Sequence, residues 1–220
     1  LFRLGFPSAL QMLFEVAFFT SAIWVCGLLG KNEQAANQIA LNISSMTFMV
    51  AMGLSVAAMI RVGNQKGLGA FVDLRRIAKS VFLLTLLIDI VFAVIFILAK
   101  DAFPWLYLES STAADVVEVA TIASSLFLVA AFFQIFDGAQ VVALGALRGL
   151  QDVIIPTWIC FASYCLVGFT TMVYLGLYTP LGAFGVWIGL LSGLVASSLL
   201  LYLRFLYQTN KLIRNNGTTT

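Results

Sequence analysis

Two carboxylates sit deep inside long apolar stretches: Glu15 in GFPSALQMLFEVAFFTSAIWV and Asp137 in SSLFLVAAFFQIFDGAQVVALGA. An ionised side chain near a bilayer centre costs on the order of several kcal/mol, so such groups face a protein interior or a water-filled cavity and mark ion or substrate paths. A carboxylate in that setting can load a proton or hold Na⁺ through its oxygens. A third acid, Asp89 in LLTLLIDIVFAVIF, has only Thr85 as a polar neighbour one turn away. It reads either as a relay member or as a tolerated acid that stays protonated or pairs with a neighbouring helix.

Polar residues recur at helical spacing around these acids. The first stretch offers Ser8, Gln11 and Glu15, the second Gln38, Asn42, Ser45 and Met49, and the fourth Gln134, Asp137 and Gln140. Each set is expected on roughly one helix face, turned away from lipid. Two readings of those faces stay open: hydrogen bonding between helices, or the wall of a hydrated ion or substrate cavity. The carboxylates favour the cavity, because simple glue needs no ionisable group. No histidine is present, which removes imidazole relays and His-based metal sites. Cys26, Cys160 and Cys165 match no metal or redox spacing and read as buried or lipid-facing residues.

The elements that must carry these groups are membrane helices. Of the 220 residues, 61% are hydrophobic and 10% charged, against about a quarter charged in a soluble domain. Six apolar runs each meet the requirement of about 20 residues for a transmembrane helix. They fall near residues 5–29, 35–60, 80–99, 119–146, 153–176 and 182–203, which predicts an all-α integral membrane protein. Residues 206–220 are expected to form a cytoplasmic tail with a polar, frayed end at 217–220. The chain begins at Leu1 with no signal-peptide pattern, so it reads as a piece of something longer or a trimmed chain.

Basic residues set the orientation. Arg3, Arg61, Lys66, Arg75, Arg76, Lys79, Arg148, Arg204, Lys211 and Arg214 fall on one side if six helices alternate, leaving Lys31 and Lys100 on the other. Both termini are therefore expected in the cytoplasm. The net charge of +2 follows topology, and no nucleic-acid patch is present. Phe103, Pro104, Trp105 and Tyr107, in a loop that also holds Glu109, read as an interfacial belt. Gly182, Gly185, Gly189 and Gly193 form a small-residue face for close packing. Counted from the cytoplasmic helix ends, Glu15 and Asp137 lie at one depth, roughly 13–15 Å into the membrane. There they can share a cation or a proton.

The segments LGFPSALQMLFEVAFF, AANQIALNISSMTFMVAMGLSVAAMIRVGNQKG, QIFDGAQVVALGALRGLQD and PLGAFGVWIGL resemble the multidrug and toxic compound extrusion transporters, in their bacterial NorM-like branch. The resemblance runs from about residue 4 to about residue 205. It implies one six-helix lobe, helices seven to twelve, of a twelve-helix transporter whose N-terminal lobe is absent from this chain. It also implies a cation-coupled antiporter in the bacterial inner membrane. Such a protein exports small organic, often cationic, compounds with Na⁺ or H⁺ as coupling ion, uses no cofactor and performs no covalent chemistry.

Residue by residue, the family's cation site maps onto Glu15 and Asp137, and its cavity glutamine onto Gln38. Asn42, Ser45, Met49, Phe133 and Gln134 are expected to line the cavity, with any Na⁺ held at Glu15 and Asp137. Phe133 stands where a tyrosine is common and offers no oxygen, which leaves H⁺ coupling open beside Na⁺. Asn37 stands where the family often has histidine. Two rivals remain: a lipid-linked oligosaccharide flippase of the same superfamily, expected to favour basic cavity residues that are not seen mid-helix here, and a non-transporting scaffold that leaves both carboxylates unexplained.

Overall fold

A computed structural model describes residues 2–108 and 113–217. Glu109 and the polar end Thr218–Thr220 lie outside the described residues. The chain folds as α1 (Phe2–Leu29), α2 (Lys31–Gly67), α3 (Phe71–Ala99), a 3₁₀ turn (Phe103–Leu106), α4 (Ala114–Gly149), α5 (Ile154–Ala162), a π-helical segment (Ser163–Phe169), α6 (Thr170–Leu177) and α7 (Gly182–Gly217). The segments α5, π and α6 form one continuous fifth span, and six spans are long and apolar enough to cross a membrane. Among the described residues there is no strand.

Most helices run further than their apolar runs. The second was expected to stop near 60 and continues to Gly67; the third was expected from 80 and begins at Phe71. The sixth was expected to end near 203 and stays helical to Gly217, through the segment read as a tail. A hydropathy window sees where apolar side chains end. Intrahelical hydrogen bonding continues into the polar turns carrying Arg61, Lys66, Arg75, Arg76, Arg204 and Lys211.

Contacts at both ends confirm the alternation of the spans. At one end, Lys66 Nζ donates to the Leu150 carbonyl (2.8 Å), Arg75 Nη1 to Asn210 Oδ1 (2.8 Å) and Arg204 Nε to Asp152 Oδ2 (2.7 Å). At the other, Lys31 pairs with Asp115 (3.0 Å), and Asn32 Nδ2 donates to Glu118 Oε2 (2.7 Å). Nine of the ten clustered basic residues have described side chains, and they belong to the first end.

The centre of the lobe is α4, packed against α2, α3 and α7. Phe127, Leu126 and Leu147 on it are fully buried. Glycines let neighbours approach: a Cβ on Gly145 would stand 2.3 Å from the Ser55 carbonyl oxygen, and one on Gly189 would stand 2.3 Å from the Met172 Cα. The small-residue face of α7 thus packs on the fifth span through Gly185, Gly189 and Gly193. Gly182 differs, since it starts the helix with φ +52°, a left-handed conformation that glycine adopts without penalty. The expected aromatic belt is split. Phe103 stacks into the core against Phe127 (5.1 Å between centroids), while Trp105 and Tyr107 face outward.

Candidate cation and substrate cavity

A cavity of about 430 Å³ opens between α1, α2 and α4. Glu15 from α1 and Asp137 from α4 both line it. Glu15 stands 15 − 2 = 13 residues from the start of α1, and Asp137 stands 149 − 137 = 12 residues from the end of α4. The two antiparallel helices therefore bring both carboxylates to one level. Asp137 is buried and Glu15 half-buried. Glu15 Oε1 and Asp137 Oδ1 are enclosed without a hydrogen-bond partner. The two groups are close enough to feel each other's charge. A buried acceptor without a donor is costly, so these oxygens are set up for an electropositive guest.

The rest of the wall is mostly apolar: Met12, Phe19, Phe48, Met52 and Phe133 among others. Three polar groups expected there, Gln38, Asn42 and Ser45, do line it, on a face of α2 that the lobe leaves exposed. Ser45 Oγ donates to the Asn42 carbonyl (2.6 Å), so its hydroxyl is occupied by its own helix.

Two expected lining residues do not reach the cavity. Met49 is 74% exposed, and Met52 lines the wall instead. Gln134 is buried against α3, where its Nε2 donates to the Asp89 carbonyl (3.3 Å). The one-face expectation for Gln134, Asp137 and Gln140 fails for a geometric reason: each i+3 step turns about −60° around the axis, so two steps sweep about a third of the circumference. Gln134 faces α3, Asp137 faces the cavity, and Gln140 faces Tyr164 and Ser197.

Asp89 packs directly behind Asp137. A Cβ on Gly138 would lie 2.1 Å from Asp89 Oδ2, so the carboxyl occupies a notch that only glycine leaves on α4. Asp89 is 3% exposed, its Oδ2 has no partner, and its charge is felt at Asp137.

Two contributors escaped the sequence reading. The first is Tyr164, in the π-helical segment, fully buried and stacked on Phe18 (4.8 Å, 9°). Its hydroxyl accepts from Gln140 Nε2, and Gln140 Oε1 accepts from Ser197 Oγ (2.6 Å). Glu15 and Asp137 both act electrostatically on this phenol. An aromatic hydroxyl absent at Phe133 is thus present on another span. A π-segment often marks a functional site, but no residue pattern in the sequence signals one. The second is Arg148, expected in a loop. It belongs to the last turn of α4, lines the cavity, and donates from Nη2 to Gln11 Oε1 (3.2 Å). The expectation of a cavity without a basic residue is therefore corrected: the side chain reaches inward from a helix end.

Asn37 is not a cavity residue. It is fully buried and accepts the Trp187 Nε1 hydrogen bond (2.9 Å), which ties α2 to α7. Among the described residues no group of three or more His, Cys, Asp or Glu could hold a metal ion. Cys26 and Cys160 are buried and Cys165 is exposed, all as free thiols.

The family model MatE matches residues 7–174. The chain is 38% identical over 212 residues to the probable multidrug resistance protein NorM of Xanthomonas campestris, covering 96% of this chain and 45% of that protein. It is 39% identical over 205 residues to the multidrug resistance protein MdtK of Yersinia pestis, covering 91% of this chain and 44% of that protein. The crystal structure of the eukaryotic MATE transporter AtDTX14 superposes with a TM-score of 0.85 at 25% identity, covering 97% of this chain and 48% of that one. The chain thus spans about half the length of the curated relatives it matches.

Proposed function

Because the chain belongs to the MatE family, we propose that it forms one lobe of a cation-coupled antiporter that exports organic, often cationic, compounds by alternating access. One observation carries this reading. Two carboxylates with unpartnered oxygens share a single, otherwise largely apolar cavity. Apolar walls suit a hydrophobic guest, and a few convergent polar groups orient it. Glu15 and Asp137 take the coupling ion, Na⁺ or H⁺, and release it when the drug departs or the lobe changes state. Gln38, Asn42, Ser45 and Phe133 contact the drug. Asp89 serves as a relay behind Asp137.

The second wall of the cavity comes from a partner lobe, because Gln38, Asn42 and Ser45 lie on an uncovered face. The basic end faces the cytoplasm of a bacterial inner membrane, consistent with the positive-inside rule. A lipid-linked oligosaccharide flippase gains one basic cavity residue in Arg148, but two carboxylates outnumber it. An anionic substrate is therefore disfavoured.

The test uses the complete protein in proteoliposomes, with ethidium as substrate and a Na⁺ or a pH gradient as the drive. Glu15→Gln and Asp137→Asn should each abolish gradient-driven efflux with expression intact, and Asp89→Asn should have a milder effect. Efflux at the wild-type rate in both Glu15→Gln and Asp137→Asn removes the central claim.

A further inference from the structure

Arg148 lies on the cavity wall with its charge unmatched. Its Nη2 donates to Gln11 Oε1 at 3.2 Å, and its Nε is enclosed with no partner. Gln11 is 2% exposed and precedes Glu15 by four residues, so it lies about 6 Å below Glu15 on the same face of α1. The guanidinium acts electrostatically on Glu15, yet no ion pair joins the two among the described residues. Glu15 Oε1 is itself without a partner. A permanent cation is thus held one helical turn short of a carboxylate it could pair with, by a neutral amide.

The other charged and titratable groups around this cavity are few. Asp137 lies on α4, Asp89 behind it on α3, and Cys160 and Tyr164 on the fifth span. The α2 wall adds only neutral side chains. Two lining carboxylates set against one guanidinium leave a net charge of 1 − 2 = −1, which one monovalent cation neutralises.

We infer that Arg148 is a tethered counter-cation, parked on Gln11, which limits the cavity to one coupling ion per cycle and weakens that ion's hold enough for release. This inference rests on the coupled-exchange reading above. With the guanidinium present, the acids never face each other with a full double charge, so the guest cation binds less tightly and leaves faster. A guanidinium suits the role because it stays charged at any physiological pH.

The test measures the Na⁺ or H⁺ concentration giving half-maximal ethidium efflux from proteoliposomes of the complete protein. Arg148→Gln should lower that concentration about tenfold and lower the maximal rate at the same time, because the ion is held too tightly. Arg148→Lys, which keeps the charge, should return the half-saturating value to within about twofold of wild type. A purely structural role lowers the rate without tightening the ion. An unchanged or raised half-saturating concentration in Arg148→Gln therefore overturns the inference. If that variant fails to reach the membrane, Gln11→Leu decides. The freed guanidinium should turn to Glu15 and raise the half-saturating concentration about threefold or more, and an unchanged value overturns the inference. Wild-type efflux that responds to neither Na⁺ nor pH would instead mean that the coupled-exchange reading itself has failed.

Discussion

Replacing Gly138 by alanine should destabilise the protein, and removing the Asp89 carboxyl should reverse the sign of that effect. The added Cβ would stand 2.1 Å from Asp89 Oδ2, where ordinary contact starts at 3.4 Å, so the carboxyl must retreat by 3.4 − 2.1 = 1.3 Å. Forcing an atom into a filled site costs about 1–3 kcal/mol. Against that, alanine gains about 0.5–1 kcal/mol over glycine inside a helix. The net expectation for Gly138→Ala is a loss of up to about 2 kcal/mol. In an Asp89→Ala background the obstruction is gone, and the same substitution should stabilise by about 0.5–1 kcal/mol. The coupling between the two sites is then about 1–3 kcal/mol, within the range for residues in contact. The assay is the fraction of complete protein that stays monodisperse in detergent after heating, compared across the four members of the cycle. If Gly138→Ala raises the midpoint equally in both backgrounds, the carboxyl does not occupy the notch, and the placement of Asp89 behind Asp137 is wrong.

Two further outcomes follow from packing and charge. Gly189→Ala should destabilise more than Gly5→Ala under the same heating assay, because a Cβ at 189 meets the Met172 backbone at 2.3 Å while one at 5 meets nothing within 4 Å; equal midpoints would contradict the close approach of α7 to the fifth span. Arg204→Gln should cost about 1.5–3 kcal/mol, because Asp152 accepts from both Arg204 (2.7 Å) and Gln208 (2.8 Å) in a largely buried setting. Lys31→Gln, at an exposed pair, should cost no more than about 1 kcal/mol. A similar loss in the two would show that burial of the Asp152 network is overstated.

The six spans were legible because each apolar run exceeds the thickness of a bilayer core, and the alternation was legible because lysine and arginine gather at one end. Helix ends were not, since the turns around Lys66, Arg75 and Lys211 are polar yet still helical. Glu15, Asp137, Gln38 and Asn42 could be placed on the cavity because each lies on a helix whose polar face is short and nearly straight. Gln134 could not, because a single i+3 step carried it around α4 to another neighbour. Tyr164 and Arg148 were invisible for different reasons. The π-segment leaves no mark in residue type, and an arginine at a helix end reads as a loop charge until its long side chain is seen folded inward. The Asn37 departure acquires a reason only from Trp187, 150 residues away in the chain.

The length of the helices has a mechanical consequence. The second, fourth and last helices contain 37, 36 and 36 residues. At 1.5 Å per residue each extends about 55 Å, well beyond a hydrocarbon core of about 30 Å. Their surplus turns stand at the basic end, bound to one another through Lys66, Arg75 and Arg204. The lobe is therefore a lever with a stiff handle projecting past the membrane surface. Tilting such a rod by 10° about its midpoint swings the tip by roughly 5 Å, about one helical turn. A small push on the handle, from a neighbouring lobe or a bound protein, would be felt as a displacement of the carboxylates.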